Sequence, residues 1–106
     1  MENKSRAQTF IGFCVRARKI TTGAGAIDYL KKDVWLILVC STASQNSLAA
    51  AKKYAKRHAC PLMMCYSGLE NAVNKADCKM AAVRDKGLAQ AICNSADENF
   101  QLISEA

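Results

Sequence analysis

The chain has 106 residues, half of them hydrophobic and 7% aromatic, and carries a formal charge of +6. That length supports one domain with a single core, and the apolar content excludes a disordered chain. The longest apolar run, Val34 to Cys40, falls well short of the roughly 20 residues a membrane span needs. With no secretory leader visible near the first residues either, the expected location is the cytoplasm and no membrane partner is expected.

Ser5 to Arg18 reads as a helix, with Phe10, Ile11, Cys14 and Val15 in one apolar stripe at helical spacing. Arg16, Arg18 and Lys19 gather at its end, where cations suit the negative pole of a helix dipole. Ile20 and Thr21 fit a very short strand. Thr22 is an expected N-cap for a second helix from about Gly23 to Lys32, with Ile27 and Leu30 inward.

Val34 to Cys40 is continuously aliphatic and β-branched, the pattern of a strand buried on both faces. Ser44 opens a helix to about His58, with Leu48, Ala51 and Ala55 on one face and Lys52, Lys53, Lys56 and Arg57 on the other. Pro61 stops it. Leu62 to Tyr66 is the next strand, and Ser67-Gly68-Leu69-Glu70 has capping-box spacing ahead of a short helix. Met80 to Arg84 forms a further strand, and Asp85 caps a helix carrying Leu88, Ala89 and Ile92. Residues 94–106 are polar and read as a tail or a last helical turn beyond a domain of residues 1–93. Alternating strands and helices imply parallel or mixed pairing. The expected fold is α/β: a three-layer α/β/α sandwich around a mixed sheet of about four strands, one of them tiny.

The charge is polarised along the chain. Residues 1–60 hold eleven Lys and Arg against three acids, whereas residues 61–106 hold four against six. Such an imbalance is the electrostatic footprint of a polyanion-binding protein. The most informative stretch is Arg16-Ala17-Arg18-Lys19-Ile20-Thr21-Thr22-Gly23-Ala24-Gly25. It delivers three cations to a glycine-containing helix start, where unpaired N–H groups favour phosphate. Gly23 and Gly25 carry no side chain to block a nucleic-acid backbone. The stretch lacks the third glycine and the long preceding strand of a dinucleotide fingerprint, so no nucleotide cofactor follows from it.

The six cysteines show no Cys-x-x-Cys spacing, and His58 adds no convincing fourth ligand. They read as buried or incidental thiols. With no acid–base or nucleophile constellation in view, neither catalytic residues nor a metal or other cofactor are expected.

Three stretches together resemble the ribosomal protein superfamily called L-seven-Ae / L-thirty-e, and within it small bacterial members. They are Phe10 to Gly23, Leu36 to Ser44, and Ala82 to Ala89. The family pattern Leu-Gly-Leu-Ala-x-Arg-Ala-Gly-Lys stands here as Ile11-Gly12-Phe13-Cys14-Val15-Arg16-Ala17-Arg18-Lys19, with Arg18 where the family usually has glycine. The resemblance covers about residues 8–93. It implies the sandwich fold and binding of RNA kink-turns through the second helix start and the loop before the last strand. Carried onto this sequence, the RNA-binding residues are Arg16, Arg18, Lys19, Thr22, Gly23, Ala24 and Gly25, with Lys75 and Lys79 flanking the second loop. The implied partner is structured RNA, ribosomal RNA included.

Departures from the family limit the implied specificity. Gly23-Ala24-Gly25-Ala26 lacks the polar pair that reads sheared G·A pairs, the second loop lacks its two glycines, and Ser41-Thr42 replaces an acidic pair. Losing base-edge readers costs specificity while the cations keep phosphate affinity. The expected function is therefore a non-catalytic RNA-binding protein of ribosomal type. The alternative is a protein-interaction module on the same fold.

Overall fold

The computed structural model describes residues 5–67, 69–75 and 77–104. The predicted capping box includes Gly68, which lies outside the described residues. The described elements are α1 (Arg6–Arg16), β1 (Ile20–Thr22), α2 (Ala24–Asp28), β2 (Leu36–Cys40), α3 (Gln45–Arg57), β3 (Leu62–Cys65), α4 (Leu69–Val73), β4 (Met80–Val83), α5 (Lys86–Asn94) and β5 (Phe100–Ser104).

The strands form one open mixed sheet in the order β1-β4-β2-β3-β5. β2 and β3 run parallel, with Ile37 opposite Leu62 and Cys40 opposite Cys65. β4 runs antiparallel to both β1 and β2, and β5 antiparallel to β3. A fifth strand is thus present where about four were expected. It comes from the segment expected to be a tail: Phe100 is 1% exposed and pairs with Cys65.

Successive side chains on a strand point to opposite faces, and the core divides accordingly. Leu36 and Leu38 pack with Ile11 and Cys14 of α1, Leu69 of α4 and Ile92 of α5. Ile37 and Val39 pack with Ile27 of α2 and with Ala51, Tyr54 and Ala55 of α3. Both sets in β2 are fully buried, which is why its sequence is unbroken hydrophobic with no alternation.

Three helices start as the sequence dictates. Ser5 caps α1 by accepting from the Gln8 N–H, Ser44 caps α3 through Ser47, and Asp85 caps α5 through Leu88 at 2.8 Å. α2 departs from expectation at both ends. Its N-cap is Gly23, with no side-chain cap, and it ends at Asp28 rather than near Lys32. Gly23 has φ +91°, a conformation L side chains rarely adopt, although a Cβ there would meet nothing within 4 Å. Its glycine is therefore required by the backbone and not by space. The expected cap, Thr22, is the last residue of β1.

Candidate nucleic-acid interface

β1, β2 and β3 finish at one end of the sheet, where β4 begins, and four connections gather there. The Gly23 N–H donates to the Met80 carbonyl at 3.0 Å, the Cys40 N–H to the Lys79 carbonyl at 2.8 Å, and the Ser41 N–H to the Cys65 carbonyl at 2.9 Å. In open α/β sheets ligands collect beyond the carboxyl ends of parallel strands.

Two of the predicted cations reach this end, each held by a threonine hydroxyl. Lys75 Nζ donates to Thr22 Oγ1 at 3.0 Å, and Lys79 Nζ donates to Thr42 Oγ1 at 2.8 Å. Neither ammonium is within ion-pair distance of a carboxylate among the described residues; the ion pair found there joins Arg57 to Asp28 at 3.1 Å. The carboxylate of Glu70 accepts from the Asp77 N–H, within the loop that carries the two lysines. A hydroxyl leaves an ammonium its full charge, so Lys75 and Lys79 each bring a cation to this end of the sheet.

The remaining predicted residues divide. Gly23 caps α2 directly after Thr22; Ala24 and Gly25 are its first residues, and Gly25 is exposed with open space where a Cβ would be. The Ala24 carbonyl accepts from the Tyr54 hydroxyl at 3.2 Å, so that backbone oxygen is occupied. Arg18 lies toward the opposite end of β1, yet it lines the same cleft as Thr22 and Lys75. Arg16 turns aside: its guanidinium stacks over the Phe13 ring at 4.9 Å and lines a neighbouring groove with Gln8, Asn71 and Asn74. Lys19 is exposed and outside both hollows. The cations therefore do not converge on the start of α2. They spread from Lys79 and Lys75 along β1 to Arg18, and α2, with five residues, has a correspondingly short dipole.

Arg18 has φ +58°. It is the left-handed residue that closes α1. The Arg18 N–H donates to the Val15 carbonyl and the Lys19 N–H to the Cys14 carbonyl. That pair of bonds is a Schellman motif, whose left-handed position glycine normally fills.

Two polar residues were missed by the sequence reading. Thr42 holds Lys79, and Arg84 lines the cleft with Arg18 and Lys75. The available signal for Arg84 was its place, a guanidinium directly after the wholly apolar strand Met80–Val83.

The buried thiols are held in their protonated form. Burial pushes Cys14 up to about 11, and burial also raises Cys65, with further contributions from nearby Cys40 and Cys78. A raised pKa depletes the thiolate, the nucleophilic and metal-binding form. Among the described residues, no group of three or more His, Cys, Asp or Glu side chains is placed to hold a metal ion. His58 Nε2 is buried with no hydrogen-bond partner among the described residues; burial, then the neighbouring Arg57, lowers its pKa and favours the neutral ring. No helix among the described residues is long and apolar enough to cross a membrane.

No protein-family model matches the sequence, and no curated protein matches it. A solved structure does. The chain is similar to a protein of unknown function from Bacillus halodurans C, with a TM-score of 0.74 and 18% identity over 86% of this chain and 96% of that one. At that identity the likeness establishes the fold alone.

Proposed function

We propose that the protein is a non-catalytic RNA-binding protein of ribosomal type, working in the cytoplasm and holding structured RNA mainly through its phosphates. The observation that carries this reading is the lysine pair Lys75 and Lys79. Two loop ammoniums are anchored by Thr22 and Thr42, beside the open backbone at Gly23 and Gly25, with no carboxylate paired to either among the described residues. Anchored cations beside accessible backbone suit a phosphate chain.

The resemblance to the L-seven-Ae / L-thirty-e superfamily supports the same reading at two points. The family's glycine position falls on Arg18, whose φ of +58° is the conformation glycine adopts most easily. The two apolar clusters, one fed by α1, α4 and α5 and the other by α2 and α3, fit a three-layer sandwich. The absent base-edge readers make the proposed recognition one of shape and charge.

The test is binding to a kink-turn RNA and to a straight duplex of equal length across a salt series. Binding to both that weakens steeply with salt is expected, and Lys75→Ala with Lys79→Ala flattens the slope by about one counterion per lysine. No binding to either RNA at low salt would overturn the reading in favour of a protein-interaction module.

A further inference from the structure

Arg84 directly follows β4 and faces the end of α1. Its N–H donates to the Lys19 carbonyl at 2.7 Å, and its Nη2 donates to the Arg18 carbonyl, also at 2.7 Å. Its Nε is closed off from solvent and meets no acceptor among the described residues. Beside it opens a cleft of about 260 Å³ that Arg84 helps to line.

Arg84, Arg18 and Lys75 are the cleft's cations, and Val15, Ile20 and Val73 give it an apolar wall. Thr22 adds a hydroxyl. No carboxylate among the described residues lines it. Of the acids close by in sequence, Asp85 accepts from the Leu88 N–H and Glu70 from the Asp77 N–H. The occupant is therefore an anion with acceptor oxygens and an apolar body.

We infer that this cleft binds a phosphate ester of a nucleotide. The phosphate oxygens face the side chains of Arg84, Arg18 and Lys75, and the sugar packs on Val15, Ile20 and Val73. Three cations exceed the single charge of a carboxylate, and a guanidinium edge suits two phosphate oxygens at once. The nucleotide is either free or one unit of a strand. The inference rests on the RNA reading only for that source, and Arg84 lies outside the loops on which that reading stands.

The experiment is calorimetric titration of the full chain at low salt with three probes: uridine monophosphate, inorganic phosphate, and a uridine hexamer without terminal phosphates. Binding of the monophosphate alone identifies a free nucleotide, and binding of the hexamer alone identifies a strand. In either case Arg84→Gln should weaken binding by about 10-fold or more, and Arg84→Lys by nearly as much, because lysine keeps the charge and loses the fork. Lys75→Gln leaves the Arg84–Arg18 bond in place and should weaken binding several-fold with an unchanged melting temperature. Lys31→Gln, on an exposed loop, should bind as the parent. Binding of none of the probes overturns the inference, as does wild-type binding by the Lys75 variant or by both Arg84 variants. Kink-turn binding untouched by the Arg84 variants, together with no Arg84-dependent binding of any probe, would overturn this cleft and spare the RNA reading. Arg84-dependent monophosphate binding without any kink-turn or duplex binding would do the reverse.

Discussion

Arg84 Nη2 donates to the main-chain carbonyl of Arg18 at 2.7 Å, so one cation holds in place the backbone of another. The held residue sits at φ +58°. A left-handed conformation costs a residue with a Cβ about 1–2 kcal/mol. Arg18→Gly relieves that cost and keeps the carbonyl that Arg84 uses. The variant should gain about 1 kcal/mol in chemical denaturation and melt several degrees higher. It should also bind RNA more weakly, having lost a cation from the cleft. Lower stability would mean that the Arg18 side chain contributes more by packing than its backbone costs.

Phe100 is buried in the core cluster that also holds Cys65 of β3 and Ile92 of α5, and is the first residue of a strand that pairs along β3. Removing a buried phenylalanine costs about 3–5 kcal/mol. Phe100→Ala should therefore lower the unfolding free energy by that order, against less than about 0.5 kcal/mol for a substitution at the exposed Gln101. Equal, small effects at both positions would show that residues 100–104 behave as a tail.

That strand shows where the sequence stopped being legible. Phe100, Leu102 and Ile103 are too few and too closely flanked by polar residues to stand out against Asn94 to Ala106. Their strand character comes from β3, which offers an open edge that local periodicity does not reveal. Elements with strong local signals were legible: the uninterrupted run of β2, and the caps Ser44 and Asp85. α2 was overextended because Leu30 keeps helical spacing, while the chain leaves the helix at Tyr29. Composition suggested a basic surface, and it did not disclose how the cations of the candidate site are placed. Counting charge by halves of the chain put the basic surface in residues 1–60, but Lys75, Lys79 and Arg84 come from the acidic half. Antiparallel pairing of β4 with β1 brings Arg84 to the side of Arg18.

Asp97 ties the start of β5 to the start of α1. Its Oδ1 accepts from the Asn99 and Phe100 N–H groups, and its Oδ2 accepts from the Ser5 hydroxyl at 2.7 Å. Slight burial pushes its pKa up, but those hydrogen bonds, that from Ser5 first, outweigh it and leave the carboxyl below its ordinary value. A depressed folded pKa gives stability that is present above the unfolded value, about 3.9, and is lost as pH falls through the folded one. Asp97→Asn should therefore melt lower than the parent at pH 6, and the difference should shrink below about pH 4. A difference that stays constant to pH 2 would remove the carboxylate charge as its cause.

The six cysteines stand as thiols in sharply different surroundings. Cys14, Cys60, Cys65 and Cys78 are buried, whereas Cys40 is half-buried at the end of β2, with its sulfur 3.1 Å from Thr42 Oγ1. Burial pushes Cys60 up to about 11 and raises Cys78 also. Burial depletes the thiolates of these four, and access favours Cys40 over them. With iodoacetamide at pH 8, followed by peptide mass mapping, Cys40 should be alkylated about tenfold faster than Cys14, Cys60 or Cys65. Denaturant should bring the rates together, because unfolding removes the burial that separates them. Kink-turn RNA gives the second half of the measurement: Cys40 borders the loop that holds Lys79 through Thr42, so bound RNA should slow its alkylation and leave the buried thiols unchanged. An unprotected Cys40 in the presence of saturating RNA would place the RNA away from Thr42 and Lys79.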